Sequence, residues 1–273
     1  MEEVFPGKRV IHLAVSGSAP NEILIDLCTD ESFCGTVLVS YNMSWFKGLL
    51  DGTSSGSEVV REYVQSYRAD YRPVRFLDRR LNTDISARIQ SALAICGPNL
   101  TLRRLVTTGL HPAHRPTTME YTRYRPWWYK TKMTKEDLAK RRAKRIQMVK
   151  QENWEVAEED FQKEMAVLSS LGQRLASRGG HLILVHMPMT DEHWECYEKL
   201  APKAMYWDRI EGLSGVRTIH FRDYPELSEF RCPDTSHLDA SDAPEFTRRL
   251  ARIMRGKLVG DGGGARSDSA GRR

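Results

Sequence analysis

Apolar residues recur in two rhythms along this chain, short β-branched runs and longer stretches spaced by three and four. Arg9 to Val15 is a short apolar run closed by Ser16-Gly17-Ser18-Ala19-Pro20, which predicts a strand and a turn. Asn21 to Leu27 places Ile23, Ile25 and Leu27 among polar residues and predicts a helix. Gly35 to Ser40 is a second β-branched run, so strand, helix and strand succeed one another as in a right-handed βαβ unit.

After a loop at Gly52 to Ser57 the rhythm turns helical. Helices are expected around Glu58 to Ala69 and Phe76 to Ile95, then an irregular segment from Thr107 to Thr134. A long helix, broken once, is expected from Lys135 to Arg178, with Phe161, Met165, Leu168, Leu171 and Leu175 on one face. His181 to Val185 is the next strand, Asp191 to Leu200 a helix, and Val216 to Phe221 the last strand. Asp242-Ala243-Pro244-Glu245 opens a final helix, with proline in the tolerated first turn. A Gly/Ser/Arg-rich tail from 259 to 273 predicts disorder.

Short apolar strands separated by helices predict an α/β fold: a three-layer, flavodoxin-like parallel sheet with a helical insertion over about 52–178. Residues 1–258 then form one domain, which a chain of 273 residues is long enough to fold around a single core. Sites in such sheets gather where loops leave the carboxyl ends of strands. Ser16-Gly17, Tyr41-Asn42 and His186-Met187 take those positions, and Asp234 and His237 lie between the last strand and the last helix.

Charge changes the picture only locally. The formal net charge is +5, but Lys130 to Lys150 alone holds nine basic residues against two acidic ones. With Tyr121, Tyr124, Trp127, Trp128 and Tyr129 upstream, this stretch has the interleaving of a nucleic-acid or sugar contact. A solvated helix face with a few aromatic anchors explains it more simply, and nucleic acid is not the expected partner. No run of about 18 apolar residues predicts a membrane span, and the N-terminus lacks the pattern of a signal peptide. Five scattered cysteines without metal-finger spacing predict free thiols, and His111 and His114 lack a third metal ligand.

A histidine three residues after an aspartate, on a loop before a helix, has the spacing of an acid–base pair, although an ordinary solvated turn has it too. Gly17 has the freedom to bring an N–H to an oxyanion, and Asn42 has an amide to offer; taken singly, each is read more simply as part of a plain turn or strand end.

Together these residues resemble the SGNH (GDSL-like) hydrolase superfamily, especially its relatives acting on carbohydrate acyl groups. His12 to Gly17 resembles the second block, whose glycine donates to the oxyanion hole. Val39-Ser40-Tyr41-Asn42 resembles the third block, with only Asn42 retained, and Asp234-Thr235-Ser236-His237 resembles the Asp-x-x-His fifth block. The resemblance implies an ester hydrolase or acyltransferase, possessing catalytic His237 and Asp234 and an oxyanion hole of Gly17 and Asn42, with no cofactor and no metal. The family's first block, a strand ending in Gly-Asp-Ser with the nucleophilic serine, has no counterpart here. It is as though that strand lay upstream of Met1, and Ser16 and Ser18 are substitutes only in principle.

In a 2-1-3-4-5 sheet the absent strand is central, so the expectations are an activity impaired for want of the serine and self-association through an exposed sheet edge. The competing expectation is a non-catalytic binding module using region 121–150. As written the chain reads as cytoplasmic; an upstream segment would make it periplasmic or cell-envelope.

Overall fold

The computed structural model describes residues 1, 3–13, 18–46, 48–52, 56–69, 119–121, 127–129, 134–151 and 156–259. In chain order these form α1 (Asn21–Thr29), β1 (Thr36–Ser40), short turns of helix α2 (Met43–Phe46) and α3 (Gly48–Asp51), and α4 (Ser57–Ala69). Strands β2 (Met119–Tyr121) and β3 (Trp127–Tyr129) follow, then α5 (Lys135–Gln151), α6 (Glu158–Ala176), β4 (His181–His186), α7 (Asp191–Leu200) and α8 (Trp207–Ser214). The chain continues through β5 (Arg217–His220), a 3-10 turn at Phe221–Asp223, α9 (Pro225–Ser228) and α10 (Ala243–Val259).

The architecture is α/β. Strands β1, β4 and β5 form an all-parallel sheet in the order β1-β4-β5, with Leu38 opposite Ile183 and Val185 opposite Ile219. That order is the run expected for the third to fifth strands of a 2-1-3-4-5 sheet. Alternation along the strands sends their side chains into two cores. Val37, Val39, Leu182 and Leu184 pack with Leu24 of α1, Phe161, Leu168 and Leu175 of α6, and Ile210 of α8. On the opposite face, Ile183, Val185 and Ile219 pack with Phe246, Leu250 and Met254 of α10. Helices thus cover both faces of the sheet, as fully apolar parallel strands require. Each such aliphatic side chain contributes about 1.5–3 kcal/mol by leaving water.

Several expectations are corrected. The expected strand at Arg9–Val15 is not one over its described part: residues 8–13 pair with no strand, and Val10, Ile11 and Leu13 are exposed. An apolar run becomes a strand only beside a neighbour that takes up its backbone groups, and among the described residues no strand pairs with this one. The segment read as irregular contains β2 and β3, which pair antiparallel with Glu120 opposite Trp128. Helix α8 was not expected; Gly212 and the polar residues of Trp207–Ser214 dilute its pattern to one short turn pair. The break in the long helix lies between α5 and α6. The expected helix at Phe76–Ile95, the His111/His114 pair and the 260–273 tail lie outside the described residues.

Candidate active site

Loops leave the carboxyl ends of β1 and β4 on the same side of the parallel sheet, and the segment that returns to α10 is bonded to the one after β4. Tyr41 continues β1 by donating its N–H to Val185 O (2.8 Å), which places Asn42 on that side. Beyond β4, Thr190 ties down the Asp234 loop. Its N–H donates to Thr235 O (3.0 Å), its hydroxyl donates to Cys232 O (3.3 Å), and Cys232 N–H donates back to that hydroxyl (3.3 Å).

Thr235 adopts φ +77°, a left-handed conformation that is costly for a β-branched residue. It is fully buried, and its hydroxyl lies 3.2 Å from His193 Nδ1. Backbone strain therefore accompanies the turn that presents Asp234.

The Asp234 side chain is 0% exposed, and its carboxylate collects donors. Oδ1 accepts from the backbone N–H of His237 (2.9 Å) and of Ser236 (3.2 Å), while Oδ2 lies 2.9 Å from His237 Nδ1. Because a carboxylate only accepts, Nδ1 carries the proton and Nε2 is left as the basic nitrogen. Burial alone would raise the Asp234 pKa. The His237 hydrogen bond and charge, the Ser236 N–H and the Arg145 guanidinium outweigh it and hold the carboxyl well below the usual carboxylate range. His237 itself keeps 37% of its side chain exposed, so the pair joins a buried anion to an accessible imidazole.

Helix α5 supplies what the sequence alone did not reveal. The Thr134 hydroxyl accepts from Asp137 N–H (3.1 Å) and caps its start. Leu138, Arg141, Arg142, Arg145, Ile146 and Val149 then recur at helical spacing on its less exposed face. Arg141 Nε and Arg145 Nη2 lie 3.6 and 3.5 Å from Asp234 Oδ2. Arg142 donates to Pro233 O (3.0 Å) and stands 3.7 Å from Asp191, which also pairs with Arg231 at 2.6 Å. The basic stretch is therefore part of this site as well as a solvated face. The one available signal was the i, i+3, i+4 recurrence of Leu138, Arg141, Arg142, Arg145 and Ile146, which mixes arginine with apolar residues and so looks weakly amphipathic.

On the other side of Asp191 lies a cavity of about 170 Å³ lined by Met189, Thr190, Trp194, Phe221, Arg222 and Arg231, among others. It is smaller than the roughly 300–1,000 Å³ of a complete small-molecule site, so it has the size of a subsite. Arg222 lies over the Trp194 ring at 5.4 Å.

Of the four residues singled out from the sequence, Asp234 and His237 are brought together. Asn42 is half-buried at the same sheet edge, its carbonyl accepting from Trp45 N–H (3.2 Å). Gly17, like Ser16, lies outside the described residues, and Ser18 is half-buried against Gly56. Cys28, Cys34, Cys196 and Cys232 are free thiols. Among the described residues no helix is long and apolar enough to cross a membrane, and no group of three His, Cys, Asp or Glu side chains is placed to hold a metal.

No family model, curated protein or solved structure matches this chain. The functional reading therefore rests on its own residues.

Proposed function

We propose that this chain is an SGNH-like ester hydrolase or acyltransferase, acting on acyl esters such as carbohydrate O-acyl groups. The observation that carries the reading is the 2.9 Å contact from His237 Nδ1 to the buried Asp234 carboxylate, at the carboxyl edge of a parallel sheet. In the reaction, a serine Oγ attacks the ester carbonyl carbon while His237 Nε2 takes its proton. The tetrahedral oxyanion is met by Gly17 N–H and the Asn42 amide. Collapse expels the alcohol, which takes the proton back from Nε2, and water or a second alcohol then removes the acyl group by the same route.

Asp234 keeps the imidazole in the Nδ1–H tautomer and stabilises the imidazolium. The sequence contains no Gly-Asp-Ser, so the reading assigns this chain the acid–base half of the reaction and an impaired activity. Self-association belongs to the same proposal, because exposed Val10, Ile11 and Leu13 offer apolar surface to a second copy.

The test is aryl-ester turnover together with serine-directed phosphonate labelling. The chain is expected to hydrolyse esters near the background rate. Supplying a strand that ends in Gly-Asp-Ser should raise the rate, and His237→Ala should abolish the gain. A gain that survives His237→Ala sinks the assignment of the base. Stoichiometric labelling at Ser16 or Ser18 sinks the claim that the nucleophile is missing.

A further inference from the structure

We infer that Arg145, flanked by Arg142, recognises an anionic group (phosphate, sulfate or carboxylate) on the molecule whose ester is cleaved with the Asp234–His237 pair as acid–base device. The inference rests on the reading of that pair as an acid–base device. It starts from the inward face of α5, where half-buried positions normally carry apolar side chains and three are arginine.

Arg145 has five N–H donors on a half-buried guanidinium. Among the described residues only its Nη2 finds partners, Asp234 Oδ2 at 3.5 Å and His237 Nδ1 at 3.4 Å. Neither is a good hydrogen bond. The first is longer than the usual N–H···O range, and the second brings a donor to a nitrogen whose own proton is committed to Asp234. Meanwhile Asp234 Oδ2 already serves His237 and the Arg141 guanidinium, and Asp191 serves Arg142 and Arg231. Four guanidiniums thus gather around two carboxylates beside one accessible imidazole.

That crowding works against the support Asp234 gives to a protonated His237. When His237 takes a proton, a second cation forms 3.4 Å from Arg145. An anion held in the fork of Arg145 cancels that repulsion, and it supplies the bidentate acceptor that the guanidinium lacks. Anion binding and proton uptake by His237 then favour each other, so an anionic substrate prepares its own base.

The test is titration of the folded full chain with inorganic phosphate, sulfate and acetate at constant ionic strength, read by the ¹⁵N resonances of the His237 imidazole. Saturable shifts at millimolar anion are expected, and the order of the three assigns the group. Arg145→Gln should weaken binding by at least ~10-fold, Arg145→Lys by less, and the remote Arg252→Gln not at all. No saturable shift in the wild type up to about 50 mM, a range that would still detect weak binding, overturns the site. So does an Arg145→Lys variant, confirmed folded, that binds no worse than wild type while Arg145→Gln also titrates unchanged. Binding through Arg145, with no His237-dependent gain in ester turnover when a strand ending in Gly-Asp-Ser is supplied, would keep this site and discard the proposed reaction, so the two ideas fail separately.

Discussion

Three buried histidines make this protein's stability fall in mild acid, and the size of the fall follows from their surroundings. His186 ends β4, His220 ends β5, and their ring centroids lie 4.5 Å apart with the planes tilted by 33°, with Trp194, Tyr197 and Trp207 around His186. His193 lies on α7, 4% exposed, near Arg145. Burial is the main cause that pushes His186 and His193 down to about 4, from 6.5. Nearby positive groups add to it: His193 and Lys203 beside His186, and Arg145 and His237 beside His193. The Met187 carbonyl and the Asp234 carboxylate oppose the shift without reversing it. His220 is held low for the same reasons, burial first and then His186, Lys203 and Arg222.

A folded pKa below the unfolded one means that the unfolded chain binds more protons. Stability is then complete above about pH 6.5 and is lost as pH falls from there toward about 4. Each of His186 and His193 should withdraw about 3 kcal/mol across that window, at about 1.4 kcal/mol per pH unit. Together that is comparable to the whole stability of an ordinary domain, roughly 5–15 kcal/mol. Urea unfolding followed by Trp194 and Trp207 fluorescence at about pH 7 and about pH 4.5 measures it. His186→Phe removes one proton site and also a buried Nε2 that has no hydrogen-bond partner among the described residues. It should flatten the dependence by about one proton over the same window. A wild-type unfolding free energy that stays constant from about pH 6.5 to about 4.5 would refute the burial argument.

Asp234→Asn should cost about 3 kcal/mol, because it leaves guanidiniums beside an uncharged buried group; chemical denaturation at neutral pH reads this, and a neutral effect would mean the carboxylate is solvated. Ile183→Ala, in the central strand of the three and fully buried, should cost about 2–5 kcal/mol by the same measurement. Ile11→Lys should reduce concentration-dependent association in sedimentation velocity, and an unchanged profile would place any self-association elsewhere.

The parts of the fold legible in the sequence are those whose local pattern agrees with their environment. The apolar runs at Thr36–Ser40 and His181–His186 become parallel strands because both faces meet helices, so nothing competes with the pattern. Helix Asp191–Leu200 and the break after α5 were equally readable. Arg9–Leu13 was misread because its composition is that of a strand, whereas its state depends on a pairing partner far from it in sequence. The Asp234–His237 pair was legible because its spacing closes locally, through an Asx-type turn that donates two backbone N–H groups to one carboxylate. Arg141 and Arg145 were not, because their role is set by packing across 89 to 93 residues of chain; in sequence they look like part of a solvated basic run.

That long-range contact alters what the short motif means. A carboxylate fully withdrawn from water is a liability unless enough donors converge on it. Two of its donors, Ser236 N–H and His237 N–H, come with the turn and would form wherever the turn forms. The guanidiniums come from α5, which is held by its own apolar residue Val149 in the core and by its packing against α7. Docking of α5 therefore brings two guanidiniums to a carboxylate whose loop is also tied to the segment after β4 through Thr190. The helical insertion thus shapes the electrostatics around the Asp234–His237 pair: the Arg145 guanidinium of α5 adds to the His237 and Ser236 hydrogen bonds that hold the carboxylate ionised.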